Sequence, residues 1–126
     1  MHRAANIEYL RGAAENTGLP AGSFDVVSIQ YVLHECPPEA IRAILAEAAR
    51  LLRPGGVAVV VDTDPKSAVL QALPPPVAVL QKSTEPYSDA YYAFDTSSAM
   101  AEVKLCDVQT APCSSRHRCM LGRLKL

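Results

Sequence analysis

Tryptophan is absent from this chain, and phenylalanine occurs twice and glycine six times. A core built from such residues has to be aliphatic, with tyrosine supplying most of the ring surface. Glycine is too sparse, and too scattered, to form a G-x-G-x-x-G phosphate cradle. No G-x-S-x-G nucleophile elbow occurs either, which argues against a hydrolase of that type. No run approaches the roughly 20 apolar residues that a membrane span needs. Charge of one sign is also missing: 12 basic and 13 acidic residues leave a formal charge of −1. That balance gives neither nucleic acid nor an anionic membrane a reason to bind. The opening Met1-His2-Arg3-Ala4-Ala5-Asn6 has no apolar h-region. The expected location is therefore intracellular, cytoplasmic by default, with an organelle left open. Cys36, Cys106, Cys113 and Cys119 do not show the paired C-x2-4-C spacing of structural zinc, so they read as reduced thiols and no metal site is expected.

What the chain does contain is 126 residues, 49% of them hydrophobic, enough for one domain over residues 1–126. Ile7-Glu8-Tyr9-Leu10-Arg11 alternates loosely and predicts a short strand before Gly12. Residues 15–23 read as loop, punctuated by Gly18, Pro20 and Gly22. Val26-Val27-Ser28-Ile29 reads as a strand buried on both faces. Pro38 suits a first helical position, with Glu39 beside it at the positive end of the dipole. Ile41, Ile44, Leu45, Ala48, Leu51 and Leu52 then recur on one helical face, with Arg42, Glu47, Arg50 and Arg53 on the other. Pro54-Gly55-Gly56 is expected to stop that helix before a second buried strand at Val57-Ala58-Val59-Val60-Val61. Together these make a parallel βαβ unit.

Further on, residues 67–73 suggest a helix ended by Pro74-Pro75-Pro76. Residues 84–95 gather Tyr87, Tyr91, Tyr92 and Phe94 in a polar setting. Ser97 or Ser98 could cap a helix running to Lys104. Strands at residues 106–110 and 118–124, joined near residues 112–116, predict a carboxy-terminal β-hairpin.

Three stretches carry a resemblance. Leu19-Pro20-Ala21-Gly22-Ser23-Phe24-Asp25-Val26-Val27 is similar to the LP…SFD-x-V run of class I S-adenosylmethionine (SAM)-dependent methyltransferases. Leu33-His34-Glu35 resembles the segment after their fourth strand. The run from Leu45 to Gly56 resembles their L-x-E-x-x-R-x-L-(K/R)-PGG helix and turn. Their order and spacing make the match specific over about residues 7–62. The residue patterns alone support only an α/β domain.

The resemblance implies a partial Rossmann-like methyltransferase sheet, drawn from the family order 3-2-1-4-5-7-6. It also implies that the strands preceding residue 7 are missing, so the chain is expected to be a truncated product or gene-model fragment. The strand at Val26 should then expose an apolar edge open to self-association. By position, Ala13, Ala14 and Glu15 correspond to the loop beside adenine. Many members have an Asp where Ala13 stands, and alanine cannot accept that hydrogen bond. Gln30, Tyr31, Val32 and Leu33 correspond to the strand end near the methionine portion of SAM. His34 and Glu35 follow, where acceptor-site residues are expected.

His34 could serve as a base for a small-molecule oxygen or nitrogen acceptor, or only cap the loop. Asp62 and Asp64 form a weak candidate for a D-x-D metal pair. Tyr87, Tyr91 and Tyr92 could line an acceptor pocket or pack on the sheet edge. Three functions stay open: a methyltransferase domain, a non-catalytic remnant that pairs through its open edge, and a generic α/β nucleotide binder, against which the absent phosphate loop counts.

Overall fold

The helix expected after Pro38 organises the rest of the molecule. In the structure, a computed structural model describing residues 6–126, helix α1 spans Pro38–Leu51 with Pro37 as its N-cap residue. Proline at the first turn costs no hydrogen bond, because those N–H groups have no intrahelical partner anyway. Ile41, Ile44, Leu45, Ala48 and Leu51 are buried, as their spacing predicts. Glu47 corrects the expected polar face: it is buried too. It lies three residues after Ile44 and four before Leu51, which turns it inward.

Strand β1 spans Phe24–Gln30 and strand β2 spans Leu52–Thr63. The Pro54-Gly55-Gly56 turn therefore lies inside β2 instead of between helix and strand. A Cβ at Gly56 would stand 3.1 Å from the Asp25 carbonyl oxygen and 2.9 Å from that of Arg53, so this crossing admits only glycine. The two strands are parallel, with Val27 beside Ala58 and Ile29 beside Val60. β3 (Leu105–Pro112) and β4 (His117–Leu124) form the expected hairpin, and β4 runs antiparallel to β2. The resulting order, β1-β2-β4-β3, reproduces the 4-5-7-6 portion of the sheet that the resemblance implies.

Between β2 and β3 lie four helices: α2 (Ala68–Gln71), α3 (Pro75–Thr84), α4 (Ser88–Ala93) and α5 (Thr96–Glu102). α2 is shorter than expected, and Ser67 caps it by accepting the Leu70 N–H. The prolines thought to end a helix begin one instead: Pro75 and Pro76 occupy the first turn of α3. Asp95, not a serine, caps α5, taking the Ser98 N–H at 3.0 Å.

One face of the sheet holds the core. Ile29, Ala58, Val60, Leu105 and Met120 are buried there with Leu45 of α1 and Ala99 and Met100 of α5. Gly122 lets α5 lie close, since a Cβ there would meet Met100 Cε at 2.8 Å. The other face is open, and this corrects the reading of β1 as buried on both sides: Val26 is 58% exposed. Residues 7–11 form no strand, because among the described residues no neighbouring strand is present to bond with them, and Tyr9 is 90% exposed. Among the described residues no helix is long and apolar enough to cross a membrane.

Candidate functional site

Parallel neighbours bring their carboxyl ends together, and the register here sets Gln30 beside Val61. The next residue of β2 is Asp62. The chain leaving β1 must turn over it. Tyr31 makes that turn in the left-handed region, at φ 58°, while its N–H stays bonded to the Val61 carbonyl at 2.8 Å. For a non-glycine residue such a conformation costs about 1–3 kcal/mol, and the surrounding structure has to enforce it. The turn leads into a single 3-10 turn, Leu33–Glu35.

Asp62 is almost wholly buried, and four donors explain how its charge is tolerated. The Leu33 and His34 N–H groups donate to Oδ2 at 2.9 and 3.3 Å. The Thr63 N–H donates to Oδ1 at 2.7 Å, and His34 Nδ1 lies 2.7 Å from that same oxygen. An ionised carboxylate only accepts, so His34 donates from Nδ1; in the neutral ring the lone pair is then on Nε2. Glu35 and Glu85 carboxylate oxygens stand 3.9 and 3.8 Å from Nε2. Those distances suit an imidazolium once it forms, and leave the neutral ring free to accept a proton.

The surrounding wall is aromatic. α4 packs on the 3-10 turn and carries Tyr91, fully buried, and Tyr92. Burial pushes both phenols up, helped by the Asp62 charge for Tyr91 and by Glu85 for Tyr92. They are neutral at physiological pH. Cys36 is raised as well, by burial first and then by Glu35, Glu15 and Asp62. A raised thiol is a poor nucleophile at neutral pH.

Ala14, Gln30 and Val32 meet in a cavity of about 380 Å³ along the β1 edge, floored by Ile29, Ile44 and Ala48. The other expected residues scatter. Ala13 closes a two-residue bridge with Asn16 and faces a separate recess with Leu10 and Leu19. Glu15 is exposed, and its charge reaches Cys36. Tyr31 turns its ring edge-on to His117, 5.0 Å between centroids. Leu33 is in the core and contributes its N–H to Asp62. Asp64 bonds the Lys66 N–H and does not pair with Asp62 around a metal; among the described residues no cluster suits a metal ion.

Two residues that build this site leave little trace in the sequence. Asp62 reads there only as half of a weak D-x-D pair, and its partnership with His34 depends on a contact 28 residues apart. Glu47 forms the latch of the cavity. Its Oε1 accepts from the Thr17 N–H at 3.0 Å and the Thr17 hydroxyl at 2.7 Å, and both its oxygens take Arg50 donors. Arg50, then Thr17, hold this carboxyl down to about 2. Arg50 also donates to the Leu19 carbonyl at 2.8 Å, so loop and helix are tied at two points. An acid at the register of the apolar stripe was the available signal.

A family model described as a methyltransferase domain matches residues 1–60. An uncharacterized methyltransferase of Synechocystis is 37% identical over 54 residues, 43% of this chain and 26% of that protein. A phthiotriol/phenolphthiotriol dimycocerosates methyltransferase of Mycobacterium tuberculosis is 40% identical over 68 residues, 54% of this chain and 24% of that protein. The chain thus spans about a quarter of the length of these curated relatives. In fold it matches human N-acetylserotonin methyltransferase solved with SAM. That TM-score is 0.68 at 14% identity, covering 99% of this chain and 36% of that one.

Proposed function

We propose that the chain is a member of the class I SAM-dependent methyltransferase family and the acceptor-side portion of an enzyme methylating a small molecule, a reading supported by the methyltransferase-domain match and the methyltransferase relatives. The His34–Asp62 pair carries this reading: a buried carboxylate fixes the imidazole tautomer and leaves Nε2 facing two further carboxylates. Such a pair suits removal of a proton from an oxygen or nitrogen acceptor as its bond to carbon forms. The proton passes to His34 Nε2, and Asp62, Glu35 and Glu85 balance the resulting charge. SAM, when bound, supplies a methyl group already activated on a sulfonium.

The described residues fit that cofactor in part. Ala14, Val32 and the apolar floor of the β1 cavity suit a flat ring, and Gln30 offers an amide. A carboxylate, an amine and a ribose diol need charged partners that this cavity lacks, since Glu47 is already engaged by Thr17 and Arg50. No step is therefore routed through the cofactor. Calorimetric titration of the folded, monodisperse chain with SAM is the direct test. Micromolar binding supports the reading, and His34→Gln should then keep binding while abolishing transfer to a panel of phenols and amines. A folded chain that takes up no SAM defeats it for these residues.

A second reading, a non-catalytic pairing module, is favoured by the outer edge of β1. Tyr31 bonds toward β2, so by alternation Val26, Ser28 and Gln30 turn their N–H and C=O groups away from the sheet. A second copy is the occupant that suits this edge. Antiparallel pairing centred on Val27 sets Asp25, the strand's one charge, opposite Ile29 instead of another Asp25. Asp25 is already paired with Arg53 of its own chain. Sedimentation velocity decides: a concentration-dependent dimer that lacks SAM affinity supports this second reading, and a monomer at all concentrations removes it.

A further inference from the structure

Beside the His34 site, on the far side of Tyr91, lies a second cavity of about 480 Å³. Lys66, Tyr92, Asp95, Thr96, Thr110 and Arg118 contribute to its wall. Register fixes its place: Arg118 of β4 is directly opposite Asp62 of β2, so both side chains project from the same face of the sheet. Asp62 serves β1, through His34. Arg118 opens on the other side.

The polar atoms here are unusual. Arg118 Nε, Thr96 Oγ1 and Tyr91 Oη are all buried without a hydrogen-bond partner. Arg118 and Thr96 both approach the Tyr91 phenol closely enough to act on it, but the contacts fall short of hydrogen-bond geometry. Thr96 and Tyr91 are at least 99% buried. Elsewhere in the molecule buried polar groups find partners, as Asp62 and Glu47 do. Among the described residues Arg118 has no ion pair either, whereas Arg42, Arg50 and Arg53 each have one.

The two acids in this wall are engaged locally. Asp64 accepts the Lys66 N–H, and Asp95 accepts both the N–H and the hydroxyl of Ser98. Arg118, Thr96 and the exposed Lys66 therefore wall a cavity in which no protein acceptor satisfies the Arg118 Nε or the Thr96 hydroxyl. A planar or tetrahedral oxyanion supplies the acceptors that both lack.

We propose that this cavity is an oxyanion-binding site, taking a carboxylate or phosphate group on Arg118 and Thr96, with Lys66 at its mouth. The site stands apart from the transferase reading, because anion binding by Arg118 needs neither cofactor nor His34. Its place one side chain from the His34 pair would let it anchor the acidic end of an acceptor.

Amide-resolved NMR titration of the folded chain with inorganic phosphate, and separately with acetate, tests it. Saturable shifts centred on residues 96, 111 and 118 are expected with at least one of the two anions, the tighter one identifying the chemistry. Arg118→Gln should weaken that binding by roughly tenfold or more, the weight of one charge-assisted hydrogen bond. Arg118→Lys keeps the charge but loses the fork, and should recover only part of the affinity. Thr96→Val should weaken binding less than Arg118→Gln. Diffuse, non-saturating shifts with both anions, or an unchanged affinity in either Arg118 variant, overturn the proposal.

Discussion

β2 and β1 are neighbours in one parallel pair, yet they live in different solvents. β2 has a bonded strand on each side, and Leu52, Ala58, Val60 and Asp62 along it are all buried. β1 has one bonded side, and Phe24, Val26, Gln30 and the following Tyr31 are exposed. The two flanks also use their buried carboxylates differently. Asp62 takes three of its four donors from the turn after β1, the fourth from its neighbour Thr63, and places an imidazole. Glu47 ties a loop to a helix across 30 residues and places no reactive group. Apolar packing holds the β2 side together, and polar latches hold the β1 side. Loss of packing and loss of a latch have different signatures, and that separates the two regions by experiment.

The largest effect should come from the β2 side. Leu45 is fully buried between α1 and the sheet, so Leu45→Ala should cost about 2–5 kcal/mol, read from denaturant midpoints. Next comes Asp62→Ala, which strands the Leu33 and His34 N–H groups and frees the imidazole. About 1–3 kcal/mol is expected, with a changed His34 tautomer signal in nitrogen-resolved NMR. An unchanged tautomer would detach Asp62 from the proposed chemistry, even if stability fell.

The β1 side should respond to pH instead. The Glu47 carboxyl is held near 2 in the fold, below its ordinary value of 4.5, so the folded state prefers it ionised. Its contribution is complete above pH 4.5 and is lost as pH falls from 4.5 toward 2. Thermal midpoints measured across that window should fall for the native chain and fall less for Glu47→Gln. A remaining slope is expected, because hydrogen bonds from Ser98 lower Asp95 in the same direction. Equal slopes in the two proteins would mean that Arg50 and Thr17 do not hold the carboxylate in solution.

The same division explains what the sequence could and could not show. α1, β2 and the hairpin were legible because burial imposes a period, and the period survives in Ile41, Ile44, Leu45 and Ala48. α3 was not, because Pro75 and Pro76 break a helix only after its first turn, and no residue pattern fixed where that turn began. Residues 7–11 carried a strand-like pattern, but a strand exists only with a partner to bond. Within the candidate site, His34 is legible through the resemblance, and Asp62 shows in the sequence only as half of a weak D-x-D candidate. The pairing of Gln30 with Val61 brings them together, and register between distant strands leaves no local trace. Glu47 interrupts the apolar stripe, and its charge suggests the polar face, yet it is buried.

The smallest effect should come from the open edge itself. Val26 is 58% exposed, so Val26→Thr removes little buried surface and should stay within about 0.5 kcal/mol of the native chain. It keeps the branched shape that suits a strand, so local propensity is preserved. Denaturant midpoints for this variant, set beside those of Leu45→Ala, give the contrast between the two flanks as a number. The comparison becomes sharper if it is repeated over a range of protein concentrations. A cost that stays small at every concentration means that water covers β1. If the cost grows with concentration toward that of a core substitution, Val26 is buried in solution by a second copy. The β1 flank would then be an interface, with polar latches positioning its loop for that contact.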